Sequence, residues 1–216
     1  MDGHGRRFDD RADAGRQLAT ELKAYAGRSD VLVLALPRGG VPVGAEVARA
    51  LSAPLDVFLV RKIGVPDQPE LAMGAIAQGG VTVFDRRLID ELDIPSIVLE
   101  QLTMRERLEL DRRDRLYRGA RERSRIEGRI GIVVDDGLAT GATMEAAVRA
   151  LKELKPARIV VAVPVGAPQA CARLSSIADD VVCPLRPIAL EAVGLWYRDF
   201  SQTTDEEVRR LLGTAG

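Results

Sequence analysis

Apolar runs of strand length alternate with segments of helical period along this chain. Val31–Leu36, Leu55–Val60 and Ile159–Val163 are near-continuous apolar stretches, as is 130–135 up to its closing acid, and Asp179–Cys183 is a shorter one. Such runs fit parallel strands buried on both faces. Between them, residues 8–26 place Phe8, Ala12, Leu18, Leu22 and Tyr25 at near-helical spacing, with Gly27 as a stop. Val41–Leu51, 94–119 and Glu145–Leu154 are further helical stretches, Pro42 being tolerable in a first turn. Met73–Ala77 and Val81–Phe84 around Gly79-Gly80 predict an antiparallel hairpin, and the breaker-rich segment about 63–73, with Pro66, Asp67 and Pro69, predicts a flexible loop. The alternation defines an α/β chain with an open parallel sheet flanked by helices. In such sheets ligands bind beyond the C-terminal strand ends where strand order reverses, and strands 31–36 and 130–135 are expected to flank that point.

At 216 residues the chain is long enough for one sizeable core, so a single domain is expected over 1–216, with a core at about 28–184. Apolar content of 46% with 29% charged residues excludes disordered and membrane classes, and a net charge of −1 argues against a general nucleic-acid binder. Cys171 and Cys183 make neither a disulfide framework nor a metal-ligand spacing, and no leader is apparent, so a cytoplasmic location is expected. His4, the one histidine, stands in a polar opening stretch and is assigned no chemistry.

The most informative segment is Ile132-Val133-Val134-Asp135-Asp136-Gly137-Leu138-Ala139-Thr140-Gly141-Ala142-Thr143. It reads as strand, loop and helix. The N–H groups of Ala139, Thr140, Gly141, Ala142 and Thr143 can converge on an anion at the positive end of the following helix, with two hydroxyls as extra donors. Asp135 and Asp136 would repel that anion, so they face hydroxyl donors or a metal. A ribose 5-phosphate satisfies both halves. No lysine follows Gly141, which excludes a P-loop, and the acids are adjacent rather than one residue apart, unlike the aspartyl-phosphatase arrangement. A second strand–loop–helix unit carries Pro37-Arg38-Gly39-Gly40, a glycine turn with a cation.

The segment 132–143 resembles the 5-phosphoribosyl-1-pyrophosphate (PRPP) motif of type I phosphoribosyltransferases, and the resemblance covers roughly residues 31–165. It implies that Asp135 and Asp136 hold the ribose 2′ and 3′ hydroxyls and that Ala139 to Thr143 cradle the 5′-phosphate. It further implies that Arg38, Gly39 and Gly40 form the pyrophosphate loop, helped by Arg61 and Lys62. Several family members have a non-proline cis peptide in that loop, and here the Pro37–Arg38 bond is the candidate. Asp135, Asp136 and Arg38 are then the catalytic group. Mg²⁺ is the implied cofactor, carried mainly by PRPP, with no direct protein ligand and possible water-mediated contacts to Asp135 and Asp136. The segment about 63–73 corresponds to the family's closing loop. Ala139 stands where hypoxanthine-type members have an aspartate and where adenine- and uracil-type members also have alanine, which leaves the nucleobase-like acceptor open. The expected partners are PRPP, pyrophosphate and that acceptor, with no membrane, and a homo-oligomer, a dimer, is expected.

Two regions lie outside the motif. Residues 105–125 hold nine arginines and five acids within a charged helical insertion at about 94–125, with Arg107/Asp111, Glu109/Arg113 and Asp114/Arg118 spaced for ion pairs. A solvated or subunit-interface helix is the plainer reading, and an RNA-binding face the sharper one. The tail, about 185–216, groups Trp196, Tyr197 and Phe200 ahead of a helix beginning at Thr203 or Thr204. By resemblance it is an acceptor hood, and Trp196 or Tyr197 is the candidate for stacking a base. A non-catalytic sensor of PRPP or a nucleotide on the same fold, binding RNA or DNA through residues 105–125, is the alternative.

Overall fold

The computed structural model describes residues 7–119 and 121–213, except the side chain of Glu70. His4 lies outside the described residues. The elements are α1 (Arg11–Glu21), β1 (Val31–Ala35), α2 (Gly40–Leu51), β2 (Leu55–Val57), β3 (Val60–Val65), β4 (Gln68–Ala77), β5 (Thr82–Phe84), α3 (Arg86–Glu91), α4 (Ser96–Arg118), β6 (Ile130–Val134), α5 (Ala142–Glu153), β7 (Arg158–Ala162), α6 (Pro168–Ser175), β8 (Asp180–Val182) and α7 (Asp205–Leu211).

Five strands form a parallel sheet in the order β2-β1-β6-β7-β8. The chain runs outward from β1 to β2 and, on returning, outward the other way from β6 to β8, so the order reverses between β1 and β6. These two strands pair from Val31 with Ile130 to Ala35 with Val134. Alternation along β1 distributes the core: Leu32 and Leu34 join Val133, Val161 and the apolar faces of α5 and α6, while Val31 and Val33 join Ile132, Val160 and the faces of α1 and α2. Every residue of β1 and β6 is buried, which is why neither shows a polar side.

A smaller antiparallel sheet, β3-β4-β5, stands beside the first. It corrects two expectations. The run Leu55–Val60 is not one strand: after β2 the chain leaves the main sheet at Phe58-Leu59, where the buried Gln78 side chain accepts from the Leu59 N–H at 3.1 Å and Leu59 O accepts from the Gln78 N–H. Arg61 and Lys62 therefore belong to β3. The segment 63–73 is not an irregular loop either, because β3 reaches Val65 and β4 starts at Gln68. Two register shifts beside Gly64 let the ladder accommodate Pro69, whose carbonyl oxygen lies 2.6 Å from where a Cβ of Gly64 would stand.

The charged helix α4 ends in a buried arginine. Arg118 donates to both oxygens of Asp56 at 2.7 and 2.8 Å, to Asp114 at 2.9 Å and to Gln78 at 3.2 Å, joining α4 to β2 and to the turn after β4. Of the three ion pairs expected from spacing, Glu109–Arg113 and Asp114–Arg118 form; Glu109 also takes Arg112, and the two guanidiniums hold its carboxyl down at about 2. No described helix is long and apolar enough to cross a membrane.

Candidate functional site

The site lies where β1 and β6 end. After β6 the chain gives Asp135 and Asp136, and after β1 it gives Pro37 to Gly40. The Pro37–Arg38 peptide is cis. The two turns touch at the glycines. A Cβ on Gly40 would stand 2.6 Å from Val134 O and 3.0 Å from Asp135 Cα, and one on Gly39 would stand 2.0 Å from Asp136 Oδ2. Only residues without a side chain allow this approach. The Gly40 N–H is used by Leu36 O, whereas those of Arg38 and Gly39 donate to no acceptor among the described residues. They are free for a ligand.

The second half of the site is the turn into α5. Gly141 caps that helix with φ 75°, a conformation that favours glycine. Thr140 and Thr143 are exposed. Ala142 N–H makes one long contact, 3.4 Å, to Thr140 Oγ1, and the N–H groups of Ala139, Thr140, Gly141 and Thr143 find no acceptor among the described residues. This is an open anion cradle at a helix N-terminus. Leu138 and Ala167 fix its base, Leu138 N–H donating to Val165 O and Ala167 N–H to Leu138 O.

Burial raises the pKa of both acids, and takes that of Asp135 well above the ordinary carboxylate value, with the like charge of Asp136 adding to it. Opposing this, Arg11 donates from Nε to Asp136 Oδ2 at 2.8 Å, and Asp136 N–H donates to Asp135 Oδ1 at 2.9 Å. The paired acids thus suit groups that stabilise negative charge, namely sugar hydroxyls or a cation. Among the described residues no cluster of three or more metal-ligating side chains stands together. Two carboxylates would suit the water shell of a Mg²⁺ ion that binds phosphate oxygens directly.

Not all expected residues meet at this point. Arg38, 36% exposed at its side chain, pairs with Asp205 of α7 at 3.7 Å, and Tyr117 of α4 donates its hydroxyl to the same carboxylate at 2.6 Å. Burial and that bond push the Tyr117 phenol up to about 12. Arg61 is tied to Glu106 of α4 at 2.5 Å, though it lines a small cavity of about 30 Å³ together with Pro37, Arg113 and Thr143. Lys62 follows it in β3. A cavity of about 800 Å³ lies between β4, β5 and α5 and meets the cradle only at Ala142.

The stacking candidates divide. Tyr197 is 4% exposed, packed between Phe8 and Phe200 with its hydroxyl donating to Asp136 O at 2.6 Å, so its ring has no open face and the expectation is corrected there. Trp196 keeps part of its surface. Sequence reasoning missed Arg11, Arg113 and Val193, whose methyls cover Gly137 at 2.5 Å from a notional Cβ. Each reaches the site from an element distant in sequence, and only Arg113 carried a signal, its spacing from Glu109.

Thr204 caps α7 by accepting from Glu207 N–H at 3.1 Å, which orients the helix that presents Asp205 to Arg38. Thr204→Ala is expected to lose about 1 kcal/mol. Urea unfolding, together with faster amide exchange confined to α7, would show it.

An open parallel sheet with free turn amides and paired acids at its reversal point is the α/β arrangement that places a ligand site at the C-terminal strand ends. Residues 7–195 match the phosphoribosyl transferase domain, and the chain belongs to that family. Similar proteins include Rv0571c of Mycobacterium tuberculosis H37Rv, provisionally described as a phosphoribosyl transferase, which is 47% identical over 208 residues, 96% of this chain and 47% of that protein. The chain spans about half the length of the curated relatives it matches. Among solved structures, TT1426 from Thermus thermophilus is 44% identical with a TM-score of 0.88, covering 95% of this chain and 97% of that one. The AQ2163 protein from Aquifex aeolicus, 12% identical with a TM-score of 0.51 over 94% of this chain and 85% of its own, shares the fold.

Proposed function

We propose that the chain transfers the 5-phosphoribosyl group of PRPP to a nitrogen of an acceptor, with a nucleobase-like ring as the acceptor class, and releases pyrophosphate. The observation that carries this is the contact of the two turns: Gly39 and Gly40 lie against Asp135 and Asp136 with free amides on both sides. A ligand with a phosphate at one end, a diol in the middle and a diphosphate at the other matches that order of groups.

In the reaction the C1–oxygen bond breaks and its electron pair leaves with pyrophosphate, while the acceptor nitrogen forms the new bond from the opposite face and gives up its proton. Arg38 and the amides of Arg38 and Gly39 stabilise the departing anion, where charge develops. Asp135 and Asp136 hold the ribose hydroxyls and favour the positive charge growing on the ring. The amides and hydroxyls of residues 139–143 fix the 5′-phosphate. Mg²⁺, brought by PRPP and held through water at Asp135 and Asp136, would supply further neutralisation of the diphosphate. In this reading β3–β4 is the closing element, Trp196 the base-facing aromatic, the location cytoplasmic and the assembly a homodimer. A nucleic-acid-binding regulator is less well supported, since Arg112, Arg113, Arg118 and Arg123 are engaged by acids of their own stretch.

The test is pyrophosphate release from PRPP with and without Mg²⁺ over purine, pyrimidine and smaller nitrogen acceptors, beside Asp135→Asn and Asp136→Asn. Turnover with one acceptor, suppressed about ten- to hundredfold by either substitution through loss of charge-assisted bonds, is expected. PRPP binding without turnover on any acceptor would shift the reading to a sensor.

A further inference from the structure

Arg11 sits in the first turn of α1, where an exposed arginine would ordinarily extend into water. Instead its side chain is 11% exposed and joins three parts of the chain. Nε donates to Asp136 Oδ2 at 2.8 Å, Nη1 donates to Ser201 O at 2.6 Å, and the guanidinium carbon lies 3.9 Å from the centre of the Phe200 ring. Withdrawing a guanidinium from water is costly unless its partners are well placed. Here a carboxylate, a carbonyl and a ring face supply them.

The same contacts fix Asp136. Its Oδ2 is bounded by Arg11 on one side and by the site of the missing Gly39 side chain on another, and its backbone oxygen accepts from the Tyr197 hydroxyl at 2.6 Å. The hydrogen bond and ion pair of the Asp136 carboxylate both go to Oδ2, which leaves Oδ1 to accept from a ligand. A carboxylate next to another carboxylate tends to rotate away from it. The Arg11 guanidinium, bonded to Oδ2, opposes that rotation.

Resting on the ribose-binding reading of the acid pair, we propose that Arg11 is a positioning residue of the ribose site: it holds the Asp136 carboxylate in one orientation and links that acid to the 196–201 strip. None of its hydrogen bonds or ion pairs goes to the 139–143 turn or the Arg38 loop among the described residues, so its influence is confined to ribose recognition. Its removal weakens a ligand that carries the sugar and spares one that does not.

The experiment is calorimetric titration of the full chain with PRPP in Mg²⁺ and separately with pyrophosphate in its absence, for the unaltered protein, Arg11→Gln, Arg11→Lys and Phe200→Leu. PRPP affinity is expected to fall about ten- to hundredfold in Arg11→Gln, as for loss of a charge-assisted bond, with pyrophosphate affinity within about twofold. Arg11→Lys should restore part of it. Phe200→Leu, which removes the ring but keeps both charges and guards against a misfolded Arg11 variant, should weaken PRPP in the same direction and by less. Unaltered PRPP affinity in Arg11→Gln overturns the inference, as does tighter binding, which would make Arg11 a competitor of the sugar. Parallel loss of pyrophosphate would reduce Arg11 to a structural tie and overturn it too. Absence of PRPP binding by the unaltered protein would instead remove the functional reading itself.

Discussion

Arg118→Ala is expected to cost about 3–5 kcal/mol of stability, read as a lower urea midpoint with an unchanged slope. Arg118 is 6% exposed and is the shared partner of Asp56, Asp114 and Gln78, themselves 4%, 9% and 3% exposed. Asp56 keeps only the Val57 and Ser124 N–H groups at 2.8 and 3.0 Å once the guanidinium has gone, and Asp114 keeps Arg123. Two buried carboxylates and an amide oxygen would then lack their main donor. Arg118→Lys is expected to recover less than half of the loss, because an ammonium cannot reproduce the two-pronged contact with Asp56 and still reach Asp114. A loss below about 1 kcal/mol for the alanine variant would mean that water replaces the guanidinium and that the cluster does not anchor α4.

Gly40→Ala is expected to weaken PRPP binding at least about a hundredfold, the scale on which a displacement of an ångström disables a site. The added carbon would meet Val134 O at 2.6 Å and Asp135 Cα at 3.0 Å, both main-chain atoms of a buried strand end, so no rotation relieves the clash and the Arg38 loop must move off the acids. Unfolding in urea should also show a loss of about 1–3 kcal/mol from overpacking. Gly39→Ala provides the contrast. Its carbon meets the Asp136 side chain, which can swing aside at the expense of its Arg11 contact, so ligand binding should suffer more than stability. Full PRPP affinity in Gly40→Ala would show that the two turns need not touch for binding.

The parallel sheet was legible because β1, β6 and β7 are buried on both faces and therefore read as unbroken apolar runs. The cradle was legible because its donors and acids are contiguous, from Asp135 to Thr143, and local chain geometry alone sets their relation. What escaped was the surroundings. β2 and β3 look like one strand because the apolar run Val57 to Val60 continues through the point where the chain changes sheets, and the buried Gln78 that terminates β2 is 19 residues away from the Leu59 N–H it accepts from. Helix α3 is only six residues long and is set by the Asp85 cap, whose side chain accepts from Leu88 N–H at 3.1 Å. Tyr197 reads equally well as a stacking platform or a buried packing group, and only tertiary contacts decide between them.

Asp136 receives its guanidinium from a residue 125 positions earlier and its phenol from one 61 positions later. Around it, Phe8 N–H donates to Trp196 O and Arg198 N–H to Phe8 O, so the early and late parts of the chain are laced together directly above the acid. In a chain made from its N-terminus, the residues of β1, β6 and the turn 139–143 all precede residue 197. Until the late strip arrives, Arg11 lacks the Ser201 carbonyl and the Phe200 ring, and the Asp136 backbone oxygen lacks the Tyr197 hydroxyl, so the acid is held by fewer contacts. The surroundings of Asp136 are thus complete only once the strip 196–201 has packed against the turn after β6.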